Sequence, residues 1–268
     1  MYLSEINVYP IKSFKGISLN EASVEDRGLR FDRRWMLVDV KNKFLTQREF
    51  PKMATISIDV NDDGLNIQAD GLKKVIPLHP DMSETASVKI WTSSVKAVVY
   101  PPAINDWFSE VLGAKCRLVL MPDDAKRKVN PFYAVRKIKD TVSFADGYPF
   151  LLIGEGSLAD LNSKLEVPVP MNRFRPNFVV SGTGPFAEDT WKKISIGGTI
   201  FHVVKPCARC VMTTVDQSKG EKTGREPLKT LADYRTKNGN VLFGQNLIAE
   251  RSGSVVRTGD KIEVVETK

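Results

Sequence analysis

The alternation of apolar and polar residues in the first hundred positions predicts a series of short strands. In residues 17–24, apolar and polar side chains alternate, which is the period of a half-buried strand. Apolar runs on both sides of Asp63 and Gly64 predict a hairpin. The strands predicted in this part cover residues 2–8, 17–24, 35–38, 44–46, 56–60, 65–69, 88–92 and 95–100. So many short strands at regular spacing indicate a barrel or a curled sheet.

The period of the pattern changes after Pro101 and Pro102. Ile104, Phe108 and Val111 fall at helical spacing, and Gly113 is suited to end a helix. Residues 116–121 return to a strand pattern, and the polar, basic segment 122–128 is the best candidate for a linker. We therefore predict two domains, residues 1–121 and residues 122–268.

The second half of the chain has the same style without a detectable sequence repeat. Strands are predicted at residues 150–153, 178–180, 191–196, 200–204, 241–249 and 262–265. Leu158, Leu161 and Leu165 indicate one short helix, and Pro227 opens another. The predicted fold class is mainly β with some α. It consists of two β-rich, barrel-like domains with a few short helices.

Charge and composition exclude several classes of protein. The net charge of +7 comes from lysines and arginines that are dispersed along the 268 residues, so a nucleic-acid-binding stripe is not indicated. No apolar run approaches the ~20 residues of a membrane span. Three cysteines and a start without a secretory signal pattern favour the reducing cytoplasm.

Residues 205–216, KPCARCVMTTVD, hold two of the three cysteines. The stretch follows an apolar strand pattern, and the β-branched residues after Cys210 predict a second strand at residues 210–215. A thiolate is both a nucleophile and a metal ligand, and nearby cations lower the pKa of a thiol. Lys205 and Arg209 are the cations nearest in sequence. We interpret the stretch as a metal-cofactor site in which Cys210 is the ligand.

Three other interpretations of Cys207 and Cys210 remain open. A structural zinc site needs about four ligands, and the remaining soft candidates, Cys116, His79 and His202, form no second pair at ligand spacing. A thioredoxin-type dithiol expects a helix where this sequence favours a strand. Ordinary buried cysteines are the third possibility.

Several other segments place polar groups where an anion or a heterocycle could bind. In residues 9–16, Lys12 and Ser13 stand beside a turn that could cradle a phosphate or be an ordinary solvated turn. In residues 30–35, Arg33 or Arg34 could grip a phosphate or join a surface ion network.

The remaining candidates lie in the second half. Pro176 should hold Arg175 in an extended backbone, so that its side chain projects at a fixed point. Asp146 and Gly147 form a turn-type pair that could bind a polar heterocycle or be an ordinary turn. His202 is expected to be structural. No GxSxG, HExxH or GxGxxG motif is present.

Together these segments resemble a known family. The stretches KPCARCVMTTVD, FRPN, SFADGYPFL, YPIKSFKG, FDRRW and FGQNLI are similar to the MOSC-domain proteins. The most similar branch carries an N-terminal β-barrel domain and contains YcbX-type bacterial reductases and the mitochondrial amidoxime reducing component. The resemblance covers nearly the whole chain. It implies an N-terminal MOSC-associated β-barrel domain at residues 1–121 and a MOSC domain at residues 122–268.

The resemblance also implies a molybdenum–molybdopterin cofactor, held in a cleft between the two domains, and roles for individual residues. Cys210 would be the catalytic thiolate on molybdenum, accompanied by Cys207 and Arg209. Lys12, Ser13, Arg33 and Arg175 match phosphate-side positions, and Asp146 matches a turn that contacts the pterin. Thr213 and Asn246 are weaker candidates. Binding of pyridoxal phosphate is not expected.

The function implied is a cytoplasmic reductase of N-hydroxylated compounds, such as hydroxylamines, amidoximes and N-hydroxylated base analogues, with a role in detoxification. The chain lacks the Cys-x4-Cys-x2-Cys spacing of a plant-type ferredoxin domain. The electron donor would be a separate ferredoxin-like protein or cytochrome, unless the natural protein continues into such a domain. The rival function is a sulfur carrier or sulfurtransferase that bears a cysteine persulfide.

Overall fold

The chain folds mainly into β-strands, as its alternating pattern predicts. The structure is a computed structural model that describes residues 1–61, 63–80, 84–136 and 139–268. The strands of the first half are β1 Tyr2–Val8, β2 Ile17–Leu19, β3 Glu21–Glu25, β4 Gly28–Leu29, β5 Trp35–Val38, β6 Ser57–Asn61, β7 Gly64–Ala69, β8 Leu72–Ile76, β9 Thr85–Ile90, β10 Ser93–Val99 and β11 Arg117–Leu120. Those of the second half are β12 Phe150–Gly154, β13 Phe178–Ser181, β14 Trp191–Ile196, β15 Thr199–Ala208, β16 Val215–Asp216, β17 Glu221–Lys222, β18 Thr236–Lys237, β19 Asn240–Ala249, β20 Val255–Arg257 and β21 Ile262–Thr267.

The α-helices are α1 Pro102–Leu112, α2 Glu155–Asn162 and α3 Leu228–Arg235. In α1, Ile104, Phe108 and Val111 are buried on one face, as their spacing predicts. Gly113 ends this helix with a φ of 67°, in the left-handed region that glycine adopts without steric penalty. The prediction for this helix and its cap is confirmed.

The sheet that supports the candidate site has the strand order β2-β1-β13-β12-β19-β15-β14-β21, with β18 paired to β19. Strand β1 pairs antiparallel with β13, so that Tyr2 lies opposite Ser181. Strand β3 pairs with β20. Strand pairing therefore joins the first segment of the chain to its C-terminal part, and a division at residue 121 stays a prediction.

One hydrophobic core lies against this sheet. Phe150 stacks on Phe178 with ring centroids 5.6 Å apart, and both contact Phe201 edge-on. Leu3 and Ile6 of β1 belong to the same cluster. The aromatic contacts and apolar burial keep strands β1, β12, β13 and β15 in a rigid arrangement under the site.

A second core lies under the sheets β5-β11-β10-β9 and β6-β7-β8 together with α1. The hairpin predicted around Asp63 and Gly64 is confirmed by the antiparallel pairing of β6 with β7. Trp35 and Tyr100 are buried in this region, and the indole Nε1 donates to the Tyr100 hydroxyl at 2.8 Å. The mainly β, barrel-like character predicted for this part is confirmed.

The strand predicted at residues 210–215 is wrong. Residues Val211–Thr214 form a 3-10 helix, and only Val215–Asp216 is a strand. The hydroxyls of Thr213 and Thr214 donate to the carbonyls of Cys210 and Val211, at 3.0 and 2.8 Å. Local hydrogen bonds of this kind compete with strand pairing, and here they outweigh the β propensity of the threonines.

Gly244 allows the strands beneath the site to approach closely. Its φ is 78°, and a Cβ built on it would lie 2.6 Å from Ile153 Cγ1 and 2.8 Å from the Leu152 carbonyl oxygen. Gly239, in the turn before β19, has a similar φ of 73° but has nothing within 4 Å of its Cβ position. The two glycines therefore share the backbone requirement and differ in the space around them.

We expect Gly244→Ala to lower the free energy of unfolding by about 2–4 kcal/mol, because left-handed strain and overpacking add together. Gly239→Ala is the matched control and should lose only about 1 kcal/mol, from the backbone strain. Urea denaturation of both variants measures the difference. Equal losses would show that the close approach at Gly244 is relieved without a penalty.

Candidate functional site

The eight candidate residues from the sequence line one cavity. They are Lys12, Ser13, Arg33, Asp146, Arg175, Cys207, Arg209 and Cys210. Most lie in loops that begin or end at strands of the two cores, while Leu151 and Asn246 line the cavity from paired positions on β12 and β19. The structure brings these residues together, and their individual roles remain predictions.

Lys12 and Asp146 form an ion pair across the cavity wall. The Lys12 Nζ lies 2.6 Å from Asp146 Oδ1 and donates to the Phe144 carbonyl at 2.9 Å. Lys12 is buried, whereas the Asp146 side chain is 60% exposed. Desolvation opposes ionisation of Asp146, but the Lys12 ammonium outweighs it and holds the pKa of that carboxyl well below its usual range. Two residues predicted to contact different parts of a ligand thus contact each other.

Arg33 is the arginine of residues 30–35 that lines the cavity. Its Nη1 donates to both carboxylate oxygens of the fully buried Asp32, at 2.8 and 2.7 Å, and its guanidinium lies 4.1 Å from the centroid of the Tyr9 ring. Arg34 points elsewhere and pairs with Asp123 at 2.6 Å. Of these two arginines, Arg33 is therefore the one that lines the cavity. Part of its hydrogen-bonding capacity is already used by Asp32.

The extended backbone predicted for Arg175 is wrong, because its φ is 56°. The Arg175 N–H donates to the Asn172 carbonyl at 3.3 Å, which continues the turn of the 3-10 helix Met171–Arg173. Arg33 Nη2 donates to the Arg175 carbonyl at 3.3 Å. The local turn and the contact from Arg33 together override the preference that Pro176 imposes on the residue before it.

The Arg175 guanidinium is buried beside the cavity with part of its hydrogen-bonding capacity unused. Only 8% of the residue is exposed, and its ring partner is Tyr9, whose centroid lies 4.2 Å away. Burial lowers the pKa of Arg175 to about 10. Nη1 donates a long hydrogen bond to Gln217 at 3.4 Å, and Nη2 is buried without a partner among the described residues. A buried, unpaired donor on a cation is costly unless an anion occupies the cavity.

Both cysteines of residues 205–216 are free and half-buried. Cys207 lies in β15, and Cys210 precedes the 3-10 helix Val211–Thr214. Desolvation raises the pKa of the Cys207 thiol, against the lowering effect of Arg209. The cation that contacts the Cys210 sulfur is Arg48, whose Nη2 lies 3.1 Å from it.

The cations expected beside Cys210 have other contacts. Lys205 lies over the Tyr133 ring, with its Nζ 4.8 Å from the centroid. Arg209 donates to the carbonyls of Phe243 and Phe174 at 2.8 and 2.9 Å. Its Nη2 is buried without a partner among residues that the structure describes. Arg209 therefore lines the cavity with one guanidinium nitrogen unpaired, and this nitrogen lies 3.3 Å from the Cβ position built on Gly244.

Arg48 and Arg127 are two further residues at the site that carry no motif in the sequence. Arg127 lies in the segment predicted as a linker, but it is buried and donates to the carbonyls of Ser143, Ala145 and Asp146 at 2.5 to 2.8 Å. It shapes the loop that carries Asp146. No local pattern marks either arginine, because each acts on residues distant in sequence.

The unpaired arginine nitrogens and the cysteine sulfur of the cavity suit a ligand that carries both an anionic group and a metal. Arg175 and Arg209 each present a buried nitrogen without a partner in the described ranges, and Cys210 presents a sulfur. No group of three or more His, Cys, Asp or Glu side chains able to hold a metal occurs among the described residues. A metal on Cys210 would therefore take most of its ligands from a bound organic group.

His202 is half-buried on β15, with its Nε2 3.2 Å from Glu250 Oε2. It does not line the cavity. Within the residues the structure describes, none of the helices has both the length and the apolar character needed to cross a membrane.

Comparison with known proteins matches both parts of the chain. Residues 1–115 match the MOSC N-terminal beta barrel domain, and residues 139–263 match the MOSC domain. The chain is 34% identical to mitochondrial amidoxime-reducing component 1 of Mus musculus, over 97% of this chain and 81% of that protein. The Homo sapiens protein of the same name is 32% identical, over 97% of this chain and 82% of that protein. Molybdenum cofactor sulfurase of Oryza sativa subsp. japonica is 35% identical, over 91% of this chain but 32% of that protein.

Proposed function

Because the chain belongs to the family of MOSC proteins with an N-terminal β-barrel domain, we propose that it is a molybdenum-cofactor-dependent oxidoreductase that reduces N-hydroxylated compounds. Hydroxylamines, amidoximes and N-hydroxylated base analogues are the substrate class. Two of the relatives are named as amidoxime-reducing components, which supports an N-reductive role. A location in the cytoplasm and a role in detoxification stay predictions.

One observation carries the proposal: Cys210 and the unsatisfied guanidinium of Arg175 line the same cavity. A pterin cofactor with a phosphate tail presents a metal at one end and an anion at the other. Arginine is well suited to the phosphate because its planar fork can donate two parallel hydrogen bonds. A protein thiolate is suited to a soft metal centre.

In this proposal the chain supplies position and charge. Cys210 holds the metal, Arg175 and Arg209 offer free donors to the anionic part, and Lys12, Ser13 and Arg33 complete the wall. Asp146 faces the opening, where it can accept a hydrogen bond from the heterocycle. A bound molybdenum cofactor supplies the redox chemistry, in which the N–OH group takes up two electrons and two protons and yields the amine or amidine and water.

We propose that the two electrons come from a separate ferredoxin-like protein or cytochrome. The chain has neither a dinucleotide fingerprint nor ferredoxin cysteine spacing. Its net charge of +7 favours an acidic partner. Turnover with such a donor should therefore fall as the salt concentration rises.

The proposed function predicts that protein loaded with molybdenum converts benzamidoxime to benzamidine with reduced viologen as the donor. NADPH alone should give no turnover, because the sequence carries no dinucleotide-binding fingerprint. Product formation is measured by chromatography, and molybdenum and pterin contents are measured on the same preparation. Failure with viologen at a full molybdenum load would contradict the reductase proposal, and NADPH-driven turnover would contradict the separate donor.

A sulfur carrier or sulfurtransferase is the second candidate function. It is favoured by the presence of two half-buried thiols, Cys207 and Cys210, in one cavity and by the relative named molybdenum cofactor sulfurase. This function needs a persulfide on a cysteine rather than a stoichiometric metal. Mass spectrometry of the intact chain distinguishes the two, because a persulfide adds one sulfur atom that a reducing agent removes.

A further inference from the structure

Arg48 makes a contact with Cys210 that the proposed function does not use. The Arg48 Nη2 donates to the Cys210 sulfur at 3.1 Å. The two residues are 162 positions apart in the chain, so the contact exists only through the tertiary fold. We proposed above that the Cys210 sulfur binds a metal. A guanidinium that donates to this sulfur can influence the metal through it.

The backbone that carries Arg48 is anchored from the cavity side. The neighbouring Gln47 is fully buried, and its Nε2 donates to the Ser13 carbonyl at 2.7 Å. Gln47 also exchanges hydrogen bonds with Gln217, at 3.2 and 3.0 Å. The Arg48 N–H donates to Thr46 Oγ1 at 3.2 Å. Little freedom is left at the base of the Arg48 side chain.

The tip of the side chain is held by Trp91. The Arg48 guanidinium lies over the Trp91 ring, 4.8 Å from its centroid, and Phe44 packs edge-on against the same indole at 5.1 Å. A cation stacked on an aromatic face in this way is attracted by the ring's negative face. Base and tip together direct the guanidinium at the Cys210 sulfur.

Trp91 is itself fixed to the candidate site. Its Nε1 donates to Asp146 Oδ1 at 3.1 Å, the same oxygen that Lys12 contacts. Trp91 is 52% exposed and has a φ of 54°, in the left-handed region that is costly for a large side chain. Trp91 is the first of the two residues that form the turn between β9 and β10, in which Ile90 pairs with Ser93, and a two-residue hairpin turn requires this region.

We propose that Arg48 is a positioning residue for the Cys210 sulfur: it fixes the sulfur as a metal ligand and tunes its electron donation, with Trp91 as its support. This inference rests on the proposed function. It adds to that function a residue, Arg48, that controls the position and the electron donation of the Cys210 sulfur. Hydrogen bonds to a coordinating atom orient that atom and tune the electronic properties of the metal. Their loss typically lowers metal affinity or activity by about 10–100-fold.

The test uses the full chain, expressed with molybdenum and purified gently, as four variants beside the wild type. Arg48→Ala removes the contact, Arg48→Lys keeps a cation without the planar fork, and Trp91→Phe keeps a ring but removes the indole donor. Arg251→Ala removes an exposed arginine and is the control. The readouts are molybdenum and pterin content per chain, the electron paramagnetic resonance spectrum of the partly reduced metal, and the melting temperature.

We expect Arg48→Ala to lower metal affinity about 10–100-fold and to shift the g-values of the loaded fraction. Arg48→Lys should recover part of the loading, Trp91→Phe should change in the same direction with a smaller effect, and Arg251→Ala should match the wild type. A merely structural role would lower the melting temperature without shifting the g-values.

The inference is overturned if the loaded wild type and Arg48→Ala have the same metal content and the same spectrum, and the proposed function then still stands. A wild type that holds no molybdenum overturns both. If Arg48→Ala fails to fold, the spectra of Arg48→Lys and Trp91→Phe decide, because an unchanged spectrum in both contradicts a tuning role.

Discussion

Replacement of Cys210 by serine is expected to abolish the reduction of benzamidoxime with a viologen donor. A serine hydroxyl remains protonated near neutral pH and is a poor substitute for a thiolate on a soft metal. The change replaces one sulfur atom of a half-buried side chain by oxygen, so the fold should persist. Activity, molybdenum content and melting temperature are measured on the same preparation.

Cys207→Ser is the matched control for this prediction. Cys207 lines the same cavity, but its thiol is not contacted by Arg48, and desolvation raises its pKa and so disfavours the thiolate. We expect a much milder loss than with Cys210→Ser. Equal loss from the two changes would point to a dithiol or persulfide mechanism and away from a single ligand.

The second large effect is expected from Arg175→Ala, which should weaken retention of the cofactor. A hydrogen bond to a charged group is worth roughly 1.5–3 kcal/mol, or about tenfold to more than a hundredfold in affinity. Arg33→Ala and Lys12→Ala should act in the same direction but less strongly. Arg33 and Lys12 are already paired with Asp32 and Asp146, whereas Arg175 has a free donor.

Arg34→Ala is the control, because Arg34 pairs with Asp123 and does not line the cavity. Arg175→Met keeps apolar bulk over Tyr9 and separates lost charge from lost packing. Pterin content after dialysis gives the retention of each variant. A full pterin load in the Arg175, Arg33 and Lys12 variants together would show that the anionic part is held elsewhere.

The sequence located the candidate residues better than the local structure around them. Lys12, Arg175 and Cys210 were proposed from their chemistry and from a family resemblance, and they line one cavity. The backbone at two of these places was predicted wrongly. Arg175 has a positive φ, and a 3-10 helix follows Cys210, because hydrogen bonds from Arg33 and from the threonine hydroxyls decide the local conformation.

Residues that act through a neighbour could not be predicted from the sequence. Arg127, Arg48 and Trp91 carry no motif: Arg127 falls in the segment predicted as a linker and Trp91 in the strand predicted at residues 88–92. Arg127 shapes the loop around Asp146, and Trp91 supports the arginine that contacts Cys210. Contacts of this kind depend on where two distant loops meet, which no local period or composition encodes.

The sequence by itself determined the mainly β fold, most strand positions and helix α1 with its glycine cap, because alternation, helical spacing and turn residues are local properties. It also predicted the family, through the resemblance of several long motifs, and the matches to both domain models show that membership. Only the tertiary structure decided that Arg33 rather than Arg34 lines the cavity, that Lys12 and Asp146 pair, and that Arg48 contacts Cys210. The physical reason is that a buried charged side chain pairs with the residues that the fold brings next to it. The packed cores beneath the site determine which distant segments of the chain lie close together.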